Sequence, residues 1–370
     1  MKVIIFKDNL KDGLFITERA VSDNSNLPIL KNVLLKTIDG KIKIVTTNLE
    51  LAITKVISGK IIEEGCLTVP FHTLYNIVNN TNHERINLEK IDNNFIFKTD
   101  NYEAKIQGIH EDEFPIIPKL ENTDNYLEID SVTFKDAISK VINAAQISDI
   151  RPEISGVLFD FQLTILKLVT TDSFRLAEKT LNSNQFKHNF DKSFKVIIPL
   201  KTIQEVVRIF SNDMPIRISL DNNQILFKNS TTELISRLID GNYPDYEQII
   251  PKEIETEVIL NKNHFINSVK LVSNFSGKTN DIRLAIKNNQ KTLEVYSLNQ
   301  LLGENNYLIP SKVKGVDFEG VAFNWRYLLD GLRIIDGENV FFGSNGYNKP
   351  ALLKPIEDKS YFYILMPIRI

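Results

Sequence analysis

Val45-Thr46-Thr47-Asn48-Leu49-Glu50-Leu51-Ala52 returns later in the chain as Val169-Thr170-Thr171-Asp172-Ser173-Phe174-Arg175-Leu176-Ala177. The flanks return in the same order. Leu67-Thr68-Val69-Pro70, ahead of one apolar-periodic run, matches Ile197-Ile198-Pro199-Leu200 ahead of another. Glu113-Phe114-Pro115-Ile116 likewise matches Asn242-Tyr243-Pro244-Asp245. The repeat distance is about 125–130 residues, far beyond the roughly 20–50 of solenoids and propellers, so each unit is a domain.

A third, fainter copy follows. Asp281-Ile282-Arg283-Leu284-Ala285-Ile286 stands where Asn32-Val33-Leu34-Leu35 and Gly156-Val157-Leu158-Phe159 stand, and Leu293-Glu294-Val295-Tyr296-Ser297 matches the strands around Val45 and Val169. Polar stretches after Ile117-Pro118-Lys119 and Ile250-Pro251-Lys252 set domains at 1–124, 125–251 and 252–370. Each copy reads as strand, amphipathic helix, alternating strands, second helix, strands. The first helices carry Leu10, Leu14 and Val21; Phe134, Ala137, Ile138, Val141, Ile142 and Ala145; and Phe265, Val269 and Val272. The second helices carry Leu74, Ile77 and Val78; Ile203, Val206, Val207 and Phe210; and Leu328, Leu329, Leu332 and Ile335. Two helices cannot cover both faces of so much sheet, so the expected class is α+β, with the helices of each domain on one side of antiparallel sheets.

The 370 residues are 42% hydrophobic and 25% charged, ordinary for a globular protein. One cysteine, Cys66, excludes a disulfide framework. The first residues form no signal-like core and no run approaches 18 apolar residues, so the cytoplasm is the expected location. A net charge of -3 argues against a globally basic nucleic-acid binder but leaves room for a local basic face.

No catalytic constellation emerges. His72, His83, His110, His188 and His264 are scattered, without metal-ligand spacing. Gly277-Lys278-Thr279 looks like the end of a phosphate-binding loop, but the motif's first glycine would fall at Val272. Neither G-x-S-x-G nor G-x-G-x-x-G occurs. Glu111-Asp112-Glu113 reads as a solvated loop. Catalytic residues, metal and cofactors are therefore all expected to be absent, which favours a binding or scaffolding role. An enzyme whose site is assembled from distant residues is the opposing class.

Four segments together resemble the bacterial DNA polymerase III beta subunit, the sliding-clamp family. They are Leu27 to Leu35; Ser148-Asp149-Ile150-Arg151-Pro152-Glu153-Ile154-Ser155-Gly156-Val157; Thr170 to Ala177 with Arg237 to Tyr246; and Tyr363-Ile364-Leu365-Met366-Pro367-Ile368-Arg369-Ile370. The resemblance spans the chain. It implies three DNA-clamp domains per chain and a head-to-tail homodimer, closing a ring around duplex DNA with helices lining the hole. Such a ring tethers the polymerase and confers processivity. The implied partners are double-stranded DNA without sequence preference, the polymerase III catalytic subunit, the clamp loader and other proteins carrying a clamp-binding motif. A monomeric peptide-binding module of the same domain type is the alternative.

Carried onto this sequence, the family's peptide pocket falls on Ile154, Thr171, Phe174, Arg175, Leu176, Pro244, Ile364, Leu365, Met366 and Pro367. Ser173-Phe174 and Glu247-Gln248 depart from the family pattern there. DNA-facing charge is expected from Lys11, Arg19, Lys135, Lys140, Arg151, Lys201, Arg208, Lys262, Lys270, Arg326 and Arg333, where Lys201/Arg208 and Arg326/Arg333 share helix faces. The first copy departs from the pattern: its second helix has no Lys or Arg, and Asp23-Asn24-Ser25-Asn26 lacks a basic residue. The dimer contact is expected at Thr73, Ala104 and Ile106 on one side and Leu271 and Val272 on the other.

Overall fold

Each repeated Val-Thr-Thr ends a strand, and its two threonines do different work. The hydroxyls of Thr46 and Thr170 each donate at 2.5 Å to a carbonyl at the end of the first helix of their own copy, Thr17 O and Val141 O. Those of Thr47 and Thr171 close the turn that follows, donating to Leu51 O and Arg175 O at 3.0 and 2.6 Å. A computed structural model gives this geometry, and it describes residues 1–22, 26–121, 123–148, 150–210, 214–287 and 289–369. The Asp23-Asn24-Ser25 stretch, Asn122, Asp149 and Ile370, used in the reading above, lie outside these residues.

Among the described residues six α-helices occur, two in each copy. They are α1 (Lys7–Thr17), α2 (Phe71–Asn80), α3 (Ser131–Val141), α4 (Leu200–Ile209), α5 (Lys262–Val272) and α6 (Trp325–Ile334). Pro70 and Pro199 end strands immediately before α2 and α4, where a missing N–H and a fixed φ suit a helix start. Asn261 and Asn324 cap α5 and α6 through their side-chain oxygens. Val21 lies beyond α1 in extended backbone, and the residues that helix buries are Leu10, Gly13, Leu14, Ile16 and Thr17.

The chain divides into two compact units. The first comprises residues 1–131, 187–190 and 204–238. It holds a five-stranded and a nine-stranded sheet, and in the latter Thr232–Arg237 pairs antiparallel with Leu51–Ile57. The second comprises residues 132–186, 191–203 and 239–370 and holds a twelve-stranded sheet, in which Tyr361–Leu365 pairs antiparallel with Arg175–Asn182. α1 packs against α2 in the first unit, and α5 against α6 in the second. The core of the first repeat joins both its helices to the strands through Leu10, Leu14, Leu74, Val78, Phe95 and Phe97.

In the second unit the segment 239–254 crosses the sheet and is pinned by Tyr246, packed with Leu158, Val169, Leu176, Leu352 and Ile364. The Tyr246 hydroxyl donates to Glu178 Oε2 at 2.8 Å. Burial pushes the Glu178 carboxyl above its ordinary range, and the bond from Tyr246 and the charge of Lys167 only partly offset it.

Tyr246→Phe is expected to lower stability by about 1–3 kcal/mol in denaturant titration, since it strips a donor from a buried acceptor. A raised carboxyl holds its proton longer in the native state than in the unfolded one. The contribution of Glu178 is therefore full below its unfolded pKa of about 4.3, and it is lost as pH rises through the higher folded value. Glu178→Gln should flatten that descending limb.

Candidate peptide-docking site and basic helix faces

The turn Thr171–Arg175 is built by its own side chains. Asp172 Oδ1 accepts from the N–H groups of Phe174 and Arg175, both at 3.0 Å, and Ser173 sits at φ 77°. The first copy repeats this: Asn48 Oδ1 accepts from Glu50 and Leu51, and Leu49 sits at φ 76°. Asn299 does the same for Leu301 and Leu302 in the third copy. These are Asx turns, which local hydrogen bonding stabilises. They also correct the sequence alignment: Leu51-Ala52 is equivalent to Arg175-Leu176, not to Leu176-Ala177, and no residue is inserted.

The turn is held from two directions. Met366 N–H donates to Phe174 O at 2.8 Å, while Arg175 and Leu176 face Leu365 and Ile364 across the strand pair. From the segment preceding Ile154, Arg151 Nη1 donates to Ser173 Oγ at 3.0 Å and its Nε to Glu153 Oε1 at 3.1 Å. Tyr243, next to half-buried Pro244, packs into the cluster of Leu176 and Ile364.

Arg175 is held by three groups at once. Its Nε meets Asp172 Oδ2 at 2.9 Å and its Nη1 meets Asp330 Oδ2 of α6 at 2.6 Å. Its guanidinium carbon lies 4.2 Å from the Tyr327 ring centroid. Burial alone would depress this guanidinium, but Tyr363, Asp330 and Asp172 outweigh burial and raise its pKa, so it stays charged. The Tyr363 hydroxyl in turn donates to Tyr327 O at 3.0 Å.

The expected pocket residues thus converge, but not as equals. Leu176 and Ile364 have no accessible surface and Leu365 has 1%, so they are the packed floor and not its contact surface. Ile154 and Thr171 are also buried. The reachable surface is Phe174, at 59% exposure, with partly exposed Pro244, Met366 and Pro367. Tyr327 and Asp330 were missed by sequence reading. They stand three apart on a helix remote in sequence from Arg175, and nothing in a heptad-like spacing marks a salt-bridge partner.

Several expected DNA-facing charges are already engaged. Lys140 is 7% exposed, donates to Ile334 O at 3.2 Å and pairs with Asp336, because α3 directs it at the end of α6 and not at solvent. Lys262 donates to Ile335 O at 2.8 Å, satisfying a carbonyl that α6 leaves unpaired at its end. Arg151 belongs to the docking turn. Arg19 lies 3.9 Å from Glu205, which also pairs with Arg208 at 2.9 Å. Lys11, Lys201, Arg208, Lys270, Arg326 and Arg333 are exposed on their helices, and Lys135 is half-buried. Arg326 additionally lies 5.2 Å from the Trp325 ring.

Of the expected dimer residues, Ile106 and Val272 turn inward into their own cores, because their side chains fall on the buried face of strand and helix. Thr73 and Leu271 are exposed, and Ala104 is half-buried.

Two helices in each repeated copy, antiparallel sheets and the recurring strand junction define a clamp-like architecture. Family models for the DNA polymerase III beta subunit match the chain throughout: the N-terminal domain over residues 1–118, the central domain over 128–245 and the C-terminal domain over 247–369. The chain belongs to the DNA polymerase III beta-subunit family, whose members are sliding clamps and non-catalytic processivity subunits. The beta sliding clamp of Bacillus subtilis is 25% identical over 383 residues, covering 100% of both chains. That of Staphylococcus epidermidis is 28% identical over 388 residues, covering 100% of this chain and 99% of its own. The solved Bacillus subtilis clamp superposes with a TM-score of 0.94 at 25% identity, covering 100% of this chain and 99% of that one. A DNA polymerase III beta chain from Streptococcus pneumoniae gives 0.93 at 26% identity, covering 100% of both.

Arg175→Ala leaves Asp172, itself 1% exposed, without its cation. The expected cost is about 3–5 kcal/mol of stability by denaturant titration.

Proposed function

We propose that the chain acts as a head-to-tail homodimer that encircles duplex DNA in the cytoplasm and tethers the replicative polymerase. The observation that carries this reading is a junction that occurs twice inside the chain and is left open once. In one junction Leu51, Ala52 and Ile53 face Ser236, Ile235 and Leu234; in the other Arg175, Leu176 and Ala177 face Leu365, Ile364 and Tyr363. The third instance of each strand is an edge. Residues 303–310 of the strand Gly303–Gly315 pair on one side only, with Thr292–Asn299, and Glu103–Gln107 ends the five-stranded sheet. Unpaired edges seek a partner.

Transferred through the three Asx turns and their matching hairpins, the register sets Leu302, Gly303 and Glu304 opposite the partner's Ile106, the partner's Lys105 and the partner's Ala104. A heterologous contact of this kind closes when its rotation divides the circle. Beside the open edge Leu271 is 56% exposed, and its carbonyl accepts from Asn305 Nδ2 at 3.2 Å. Arg326, Arg333, Lys201 and Arg208 would meet phosphate, and enclosure allows these contacts to be few and non-specific. The Phe174, Pro244, Met366 and Pro367 surface would take hydrophobic anchors from the polymerase, the clamp loader and other motif-bearing partners. No helix among the described residues is long and apolar enough to cross a membrane.

Sedimentation equilibrium at micromolar concentration should give twice the chain mass. Leu271→Asp should give a folded monomer, with dimer affinity weakened at least tenfold; a parent protein that sediments as a monomer refutes the ring. In calorimetry, a short glutamine-leucine-phenylalanine type peptide should bind the intact chain and lose binding in a folded chain lacking Met366 to Ile370. Phe174→Ala should weaken that binding, with stability changed by no more than about 0.5 kcal/mol at so exposed a position.

A further inference from the structure

The two linkers differ in what they seal. Glu113-Phe114-Pro115-Ile116-Ile117 and Asn242-Tyr243-Pro244-Asp245-Tyr246 correspond, so Ile117 takes the place of Tyr246. Where Tyr246 packs in a cluster of eight buried residues of the sheet and its neighbours, Ile117 belongs to a smaller cluster with Leu120, Ala52, Leu226 and Ile235. An open cavity of about 820 Å³ is left within the first unit, lined by the linker and the nine-stranded sheet. Its apolar walls include Leu34, Val45, Ala52, Phe114, Leu226 and Ile235. Its volume falls in the range of small-molecule sites, and its lining mixes these apolar residues with charged ones.

The charge at its mouth is unbalanced in a way the second repeat is not. Lys36 and Lys43 face each other directly across paired strands and both line the cavity. The equivalent pair in the second repeat is Asp160 opposite Lys167, with Lys195 on the far side of Asp160. Like charges directly opposite destabilise a strand pair. Neither Lys36 nor Lys43 has an ion-pair partner among the described residues, and Lys119 adds a third cation to the lining. Of the three carboxylates in the lining, Glu111 pairs with Lys90 at 2.7 Å and Glu233 with Lys228 at 2.6 Å, while Asp112 is turned out to solvent.

We propose that this cavity binds an amphipathic organic anion, its aryl or alkyl body among Leu34, Val45 and Leu226 and its carboxylate or sulfonate between Lys36 and Lys43. The site is separate from the peptide-docking turn and from the open strand edges. Cys66 reports on it: the only cysteine of the chain lines the cavity and stands directly opposite Lys36 on the adjoining strand.

The test uses the full chain and two dyes that share an apolar body, 1-anilinonaphthalene-8-sulfonate and the uncharged N-phenyl-1-naphthylamine. The sulfonate should bind saturably at one site per chain and slow alkylation of Cys66 by iodoacetamide, followed by intact mass. The uncharged dye should bind at least tenfold more weakly. Lys36→Asp, which copies the pair of the second repeat, should weaken sulfonate binding at least tenfold, and Ile117→Tyr, which copies the plug, should do the same. Should Ile117→Tyr fail to fold, Lys36→Asp and Lys43→Gln decide, since both side chains stand at the cavity mouth. Equal Cys66 protection by the two dyes, binding indifferent to both lysine substitutions, or binding without protection of Cys66 overturns the proposal.

Discussion

Backbone hydrogen bonding at strand edges is the constraint on which the rest depends. Every copy of the domain has an edge strand after its Asx turn and another at its end. An edge strand exposes a row of N–H and C=O groups that must find partners or be covered. The chain joins two of its three pairs of such edges internally, at Leu51–Ile57 with Thr232–Arg237 and at Arg175–Asn182 with Tyr361–Leu365. Repetition of the domain thereby becomes repetition of a junction, formed twice within the chain.

Around the second junction charged side chains converge on α6. Arg175 ties the Thr171–Arg175 turn to α6 through Asp330 and Tyr327, while Lys140 and Lys262 converge on the carbonyl end of the same helix. A helix C-terminus favours nearby cations because its last carbonyls carry partial negative charge. The same helix carries exposed Arg326 and Arg333. One short helix is therefore braced by lysines from α3 and α5, bound to the Thr171–Arg175 turn and charged on its open side. Two of the lysines expected to face DNA, Lys140 and Lys262, are spent on this internal architecture.

Divergence between copies is as informative as their likeness. The turn geometry survives replacement of Asp172 by Asn48 and Asn299, since each side chain presents an acceptor oxygen at the same place. The linker plug does not survive replacement of Tyr246 by Ile117: a smaller side chain leaves the sheet uncovered, and the cross-strand pair beneath it changes from opposite to like charge.

The sequence alone determined the copy number, the helix and strand order and the turn, because hydrophobic periodicity and the Thr-Thr-Asx run are local properties that fold locally. It also singled out the Thr171–Arg175 turn and the segment that covers it, whose residues meet at Phe174 and Met366. What only the tertiary structure decided is where each side chain spends its charge or its surface. Lys140 and Lys201 look alike on paper, yet one is buried against Asp336 and the other is exposed. Leu271 and Val272 are neighbours on one helix, and the turn of about 100° between successive residues sends one to solvent and the other to the core. Such outcomes depend on which element arrives opposite, and contacts between residues a hundred or more positions apart leave no periodic trace in the chain.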